Sequence, residues 1–216
     1  MRTIAIGDVH GCSAALDALL DAIAPTPRDL IVTLGDYVDR GPDSRGVIDR
    51  LIDLSARCRL KPLLGNHELL MLGAIDDPAE IDFWFECGGR QTVQSYGGSL
   101  ESIPDEHIAF LRNCRRYYQT ADHIFLHANY FGDVPLDEQP DFVLFWEHIS
   151  FLVPAPHDSG KRVIVGHTPQ ATGEILDLGH VVCIDTHCVG GGWLTALEVN
   201  TGTIWQADRE GKLAAP

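Results

Sequence analysis

Five times along this chain an apolar run ends and a side chain able to bind a metal follows at once. Residues 4–6 lead into Gly7-Asp8-Val9-His10-Gly11, and residues 30–34 into Gly35-Asp36-Tyr37-Val38-Asp39-Arg40-Gly41. Residues 62–64 lead into Gly65-Asn66-His67-Glu68, 124–126 into His127-Ala128-Asn129, and 163–165 into Gly166-His167-Thr168. Each alone has an ordinary explanation. Gly-Asp after a strand is most often a turn, Asn66-His67 could cap a helix, and a lone His127 is more often a hydrogen-bonded interior residue. Their conjunction changes the reading. Two aspartates, three histidines and an asparagine at strand exits are costly to bury without partners, and a metal supplies the partner. Carboxylate, imidazole and amide oxygen without thiolate point to manganese, iron or zinc rather than to a structural zinc. Two ions about 3.5–4 Å apart can share one carboxylate and one hydroxide.

Such convergence needs a scaffold whose strands end side by side, since ligands in open α/β sheets bind beyond the carboxyl ends of the strands. Residues 3–6, 30–34 and 62–64 read as strands. Residues 13–23 and 43–54 read as helices, capped by Ser13 and by Asp43 or Ser44. The middle is helical: 78–87, a break at Gly88-Gly89, then 91–96 and 104–113. The last part turns to β at 124–126, 163–165, 174–178, 181–184, 194–199 and 203–206, with Gly179-His180 and Thr201-Gly202 as hairpin turns. Residues 130–160 read as loop, with a short helix near 142–151. The expectation is two packed sheets flanked by helices, forming one domain over residues 1–216.

With 216 residues, 45% of them apolar and 22% charged, the chain can bury a sizeable core and is not disordered. Sixteen basic against thirty-one acidic residues leave a net charge of −15. Such a surface repels polyanions, so nucleic acid is not an expected partner. No long apolar run suggests a signal peptide or a membrane span, which makes a cytoplasmic enzyme without membrane attachment the expectation. The six cysteines form no CxxC pair and read as free thiols.

GDVHG, GDYVDRG, GNHE, the Phe125-Leu126-His127-Ala128 stretch and Gly166-His167-Thr168 together resemble the signature of the phosphoprotein phosphatase family of calcineurin-like metallophosphoesterases. The resemblance runs from Thr3 to about Gln206. The short length resembles the compact bacterial and phage serine/threonine phosphatases. Symmetrical diadenosine tetraphosphatases share the family and are usually longer. The resemblance implies an α/β fold, a four-layer β-sandwich flanked by helices. It implies Asp8 and His10 on the first of two divalent ions, Asp36 bridging both, and Asn66, His127 and His167 completing the second. It implies His67 as general acid oriented by Asp39, and Arg40 on the phosphate oxygens. The alternative for Asp39 is a third metal ligand. The implied reaction is direct attack of a metal-bound hydroxide on a phosphomonoester, with manganese the expected metal and iron or zinc as alternatives. The implied substrate is a phosphorylated protein or peptide, or a small phosphoester. Symmetrical cleavage of diadenosine tetraphosphate is the alternative, and a non-catalytic phosphate-binding module a further one. Three positions depart from the family pattern. Asn129 stands where glycine is usual, His148 follows Trp146-Glu147 where an arginine is usual, and His187 follows Thr186 where glycine is usual.

Overall fold

The computed structural model describes residues 1–215. Strand β1 (Thr3–Ile6) is buried throughout and pairs in parallel with β2 (Leu30–Thr33), Thr3 opposite Leu30. Helix α1 (Ser13–Ile23) makes the crossover and turns Ala15, Leu16, Leu19, Leu20 and Ile23 inward, the i, i+3, i+4 stripe of an amphipathic helix. Helix α2 (Ser44–Arg57) follows, with the Asp43 carboxylate accepting from Gly46 N–H at its start. Strand β3 (Arg59–Pro62) lies parallel to β2. It begins three residues earlier than the apolar run 62–64 predicts. It is an edge strand with half-exposed side chains, so Arg59 and Lys61 carry no apolar signal.

Helix α3 (Asn66–Asp76) has no counterpart in the expected elements. Leu69, Leu70, Met71 and Leu72 run consecutively, which hides the 3.6-residue period. Its consequence is functional, because Asn66 and His67 open the first turn of a rigid element. The helix predicted over 78–87 is broken into a 3₁₀ turn (Pro78–Glu80), α4 (Ile81–Trp84) and a π-type turn (Phe85–Gly89) before α5 (Arg90–Ser95). Helix α6 (Asp105–Arg112) closes the helical part. Then come β4 (Tyr118–Gln119), β5 (His123–Phe125), α7 (Asp141–Trp146), β6 (Arg162–Val165), β7 (Leu176–Asp177), β8 (Val181–Cys183), β9 (Leu194–Glu198) and β10 (Ile204–Ala207).

Two five-stranded sheets result, ordered β10-β9-β1-β2-β3 and β4-β5-β6-β8-β7. Ala5, Val32 and Leu197 of the first face Phe125, Ile164 and Val182 of the second in a dry inter-sheet layer. The other face of the first sheet packs Ile4, Ile6 and Ile31 against α1 and α2, and the other face of the second packs Ile124, Val163 and Val181 near Leu144 and Phe145 of α7. These are the expected helix, sheet, sheet and helix layers. Strands β1, β2 and β3 are mutually parallel, as are β5 and β6, so the five motif-bearing exits gather at one edge of the sandwich. Each fully buried Leu, Ile or Val contributes about 1.5–3 kcal/mol, which makes this edge a stiff platform. Among the described residues, no helix is long and apolar enough to cross a membrane.

Candidate metal centre

The exit loops are bonded to one another before any side chain is considered. Val9 and His10 N–H both donate to the Asp36 carbonyl, at 3.0 and 2.8 Å. The Glu68 carboxylate, in the first turn of α3, accepts from the amides of Asp36 (2.7 Å), Tyr37 (2.8 Å), Val38 (3.3 Å) and Gly65 (2.9 Å). His127 Nδ1 donates to the Leu34 carbonyl at 2.8 Å. The amide of His167 donates to both oxygens of Asp8, at 3.1 and 3.0 Å. Among the described residues, seven non-glycine residues have left-handed φ, and five belong to these loops: His10, Asp36, Asp39, Arg40 and His167. Each such residue stores about 1–3 kcal/mol, and such strain gathers where geometry serves a site.

Two donor clusters share Asp36. One is His10, Asp36 and His67, the other Asp36, His127 and His167, and within each the donor atoms lie within 4.8 Å of one another. Proton accounting shows that both suit cations. Carbonyls can only accept, so Val38 O (2.8 Å) fixes the proton of His10 on Nδ1, and Leu34 O does the same for His127. The His127 Nε2 lone pair then faces the Asn66 Oδ1 at 2.9 Å and Asp36 Oδ1 at 3.4 Å, an arrangement that repels unless a positive charge sits between. The His167 Nε2 is buried with no hydrogen-bond partner among the described residues. Burial depresses the pKa of His10 to about 3 and of His167 to about 3, so these rings are neutral ligands at neutral pH. Burial, then the charges of Asp185 and Asp36, hold the Asp8 carboxyl well above its ordinary range, and burial pushes Asp185 up to about 6. Crowded carboxylates beside bare imidazole nitrogens fit divalent cations held by oxygen and nitrogen.

His67 differs from the other histidines. Its Nδ1 lies 2.8 Å from Asp39 Oδ2, a pair with both side chains essentially inaccessible to solvent. Burial lowers its pKa, but the Asp36 charge and the Asp39 hydrogen bond outweigh burial and hold it above the ordinary value. With Nδ1 committed to Asp39, Nε2 is the ring nitrogen left for a further partner. Asp39 does not reach the metal donors. Its oxygens are taken by His67, by Trp84 Nε1 (3.0 and 2.9 Å) and by Thr92 Oγ1 (2.7 Å). The exposed Arg40 extends Nη1 to 3.0 Å from His10 Nε2, which sets a guanidinium at the cluster's rim.

The sequence reading left several of these residues without a role. Glu68 lies inside a recognised motif, but its four amide partners come from two loops and cannot be read from spacing. Trp84 and Thr92 read as ordinary helix positions. Asp185 follows β8 as the candidate ligands follow their strands, a signal that could have found it. Of the three departures, Asn129 is buried and donates from Nδ2 to the Leu152 carbonyl at 2.8 Å, anchoring the loop after α7. The His148 ring stands 4.6 Å from the His167 ring, beside the second cluster. His187 takes φ 62° and lays its ring over Gly190.

Asp and His clusters fused through Asp36 at the strand exits of a two-sheet sandwich form a candidate metal centre. The calcineurin-like phosphoesterase family matches residues 1–197, and the chain belongs to that family. The symmetrical bis(5'-nucleosyl)-tetraphosphatase of Chromohalobacter salexigens is 44% identical over 269 residues, covering 94% of this chain and 96% of that enzyme. Serine/threonine-protein phosphatase 1 of Salmonella typhimurium is 27% identical over 203 residues, 90% of each chain. Several other symmetrical tetraphosphatases match over 75 residues, so that the chain spans 26% of their length. A solved structure described as a candidate diadenosine tetraphosphatase superposes with a TM-score of 0.73 at 24% identity, covering 95% of this chain and 92% of that one, and shares the fold.

Proposed function

We propose that this chain hydrolyses a symmetrical dinucleoside tetraphosphate to two nucleoside diphosphates at a site for two divalent cations. The observation that carries this reading is the 44% identity to a symmetrical tetraphosphatase over nearly the whole of both chains. His10, Asp8 and Asp36 would hold one cation, and Asp36, Asn66, His127 and His167 the other. Bound there, the cations supply Lewis acidity, acidifying water and drawing charge from phosphoryl oxygens. Arg40 presents a planar, permanently charged fork to those oxygens. His67 keeps Nδ1–H on Asp39 and has Nε2–H free to give a proton to the departing oxygen.

A second reading, a protein phosphatase acting on phosphoserine or phosphothreonine, draws on three observations. The match with the C. salexigens enzyme extends over 269 residues, more than this chain's 216, so that over fifty positions of that enzyme have no counterpart here. The Salmonella phosphatase is matched at nearly equal length. The Asp39–His67 pair also suits an alkoxide leaving group, which needs a proton far more than a nucleoside diphosphate does. Manganese is the metal we expect, and the soluble-enzyme setting we expect is cytoplasmic.

The test is kinetics on diadenosine tetraphosphate and on a phosphoserine peptide, side by side, with products resolved by chromatography. We expect two ADP per cleavage and a kcat/KM on the dinucleotide at least about tenfold above that on the peptide. The opposite ranking establishes the second reading. Turnover of neither removes both.

A further inference from the structure

Asp39 and Arg40 sit on one step of chain, and both have left-handed φ, 70° and 67°. Such a step does not hold itself. Its own loop offers two bonds, Asp39 N–H to Ser44 Oγ at 3.2 Å and Gly41 N–H to the Asp39 carbonyl at 2.7 Å, and the other bonds to its two amides come from the helical segment α4 to α5. Trp84, at the end of α4 and fully buried, aims Nε1 between the two Asp39 oxygens. Thr92 of α5, also fully buried, gives its hydroxyl proton to Asp39 Oδ1 and accepts the Asp39 amide at 2.8 Å. Ser44 Oγ, 2.9 Å away, completes the Thr92 hydroxyl. Between these residues, the Gly88 carbonyl accepts the Arg40 amide at 3.1 Å.

The interruption of the helix is what permits this grip. An unbroken helix over residues 78–96 would direct the Gly88 carbonyl along its own axis. Gly88 instead has φ 116°, and a Cβ there would stand 2.8 Å from Arg40 Cγ and 2.9 Å from its nitrogen. Gly89 lies flat against the Trp84 indole, with no room for a Cβ. The accounting at Asp39 is complete: Oδ1 takes Thr92 and Trp84, and Oδ2 takes Trp84 and His67. With three donors in place, the carboxylate has a single orientation, and that orientation fixes the plane of the His67 ring.

We infer that Trp84 and Thr92 are positioning residues for the proton donor, acting through Asp39 to aim His67 at the leaving oxygen. The inference rests on the reading of His67 as proton donor. It adds that the helical segment, remote in sequence from every motif, sets the effectiveness of the transfer. A carboxylate left with fewer donors can rotate, and the imidazole rotates with it. Proton delivery then suffers while the metal donors, which neither residue touches, stay in place.

The experiment compares Trp84→Phe, Thr92→Val and Thr92→Ser with wild type and with His67→Asn. The manganese-loaded enzymes are assayed on p-nitrophenyl phosphate, whose leaving group needs no proton, and on phenyl phosphate, whose leaving group does. Thermal midpoint and bound metal are measured alongside. Trp84→Phe and Thr92→Val should lose on the order of 10–100-fold in kcat on phenyl phosphate, clearly less on p-nitrophenyl phosphate, with KM and bound metal unchanged. Thr92→Ser, which keeps the hydroxyl, should restore most of the loss. If His67→Asn shows the leaving-group pattern while Trp84→Phe and Thr92→Val do not, the inference is overturned and the proton-donor reading stands. If His67→Asn slows both substrates equally, the proton-donor reading fails and the inference fails with it. Equal losses on both substrates in Thr92→Val, tracking a lowered thermal midpoint, would make the contacts structural only and also overturn it.

Discussion

Glu68→Gln removes one charge and exchanges one oxygen for an amino group, and its cost follows from a count of bonds. The carboxylate has four partners and each is a backbone N–H: Asp36 and Gly65 on Oε2, Tyr37 and Val38 on Oε1. Burial, then the Asp36 charge, push its pKa up to about 8, against the pull of the amide bonds. A neutral carboxyl would turn its proton onto an N–H, so the four donors favour the carboxylate, and the cost is reckoned for that form. In glutamine one side remains an acceptor and the other becomes an NH₂ facing two N–H groups. Two bonds to a buried charged acceptor, worth about 1.5–3 kcal/mol each, are lost, and two amides are left unpaired. Relaxation of the loops recovers part of this, so we expect a loss of about 3 kcal/mol. That is a large share of the roughly 5–15 kcal/mol that folded chains possess. At about 2–4 °C per kcal/mol for a chain of this length, the thermal midpoint falls by roughly 6–12 °C. The loops concerned carry Asp36 and Asn66, so metal affinity should fall with stability. Denaturant titration of metal-free protein measures the first effect and calorimetric metal titration the second. A stability loss below about 1 kcal/mol would refute the reasoning, because it would mean that Glu68 is neutral or that the amides find other partners.

Removing divalent metal with a chelator should abolish phosphoesterase turnover, and manganese should restore it, as a donor set of carboxylate, imidazole and amide oxygen implies; assay of the dialysed protein before and after addition checks this. Acid stability should depend on Glu198, which accepts from Thr3 N–H at 3.2 Å and Thr201 N–H at 2.6 Å, tying β1 to the turn after β9. Burial opposes its ionisation, but the Thr201 and Asn200 hydrogen bonds prevail and hold its pKa down at about 2, against 4.5 for a free side chain. A depressed carboxylate pKa stabilises the fold above pH 4.5, and that contribution is lost as pH falls towards 2. It amounts to at most about 3 kcal/mol, and Glu198→Gln should show a flatter fall in stability across that window by denaturant titration.

The parts of this molecule that were legible from sequence are those where chemistry and local pattern coincide. His10, Asp36, His127 and His167 each follow an apolar strand, and the structure brings them together because those strands are parallel neighbours. The α1 and α2 stripes were equally visible, since both helices are half-exposed and show the 3.6-residue period. Helix α3 was hidden because several of its faces are covered, so its leucines run without period. β4 is a two-residue edge strand and leaves no pattern to read, whereas β7, equally short, lies within the strand read over 174–178. The roles of Trp84 and Thr92 were hidden for another reason. They depend on how a broken helix wraps a turn more than forty residues earlier, a tertiary fact without a local signature.

The central claim is that one carboxylate, Asp36, joins two cation sites. Elemental analysis of purified wild-type protein and Asp36→Asn, each incubated with manganese and freed of excess by gel filtration, tests it most directly. Wild type should carry two ions per chain. The variant should lose both, because each cluster contains Asp36: the second then keeps no charged oxygen, and the first keeps only that of Asp8. Two tightly held ions in Asp36→Asn, or no more than one in wild type, would contradict the account.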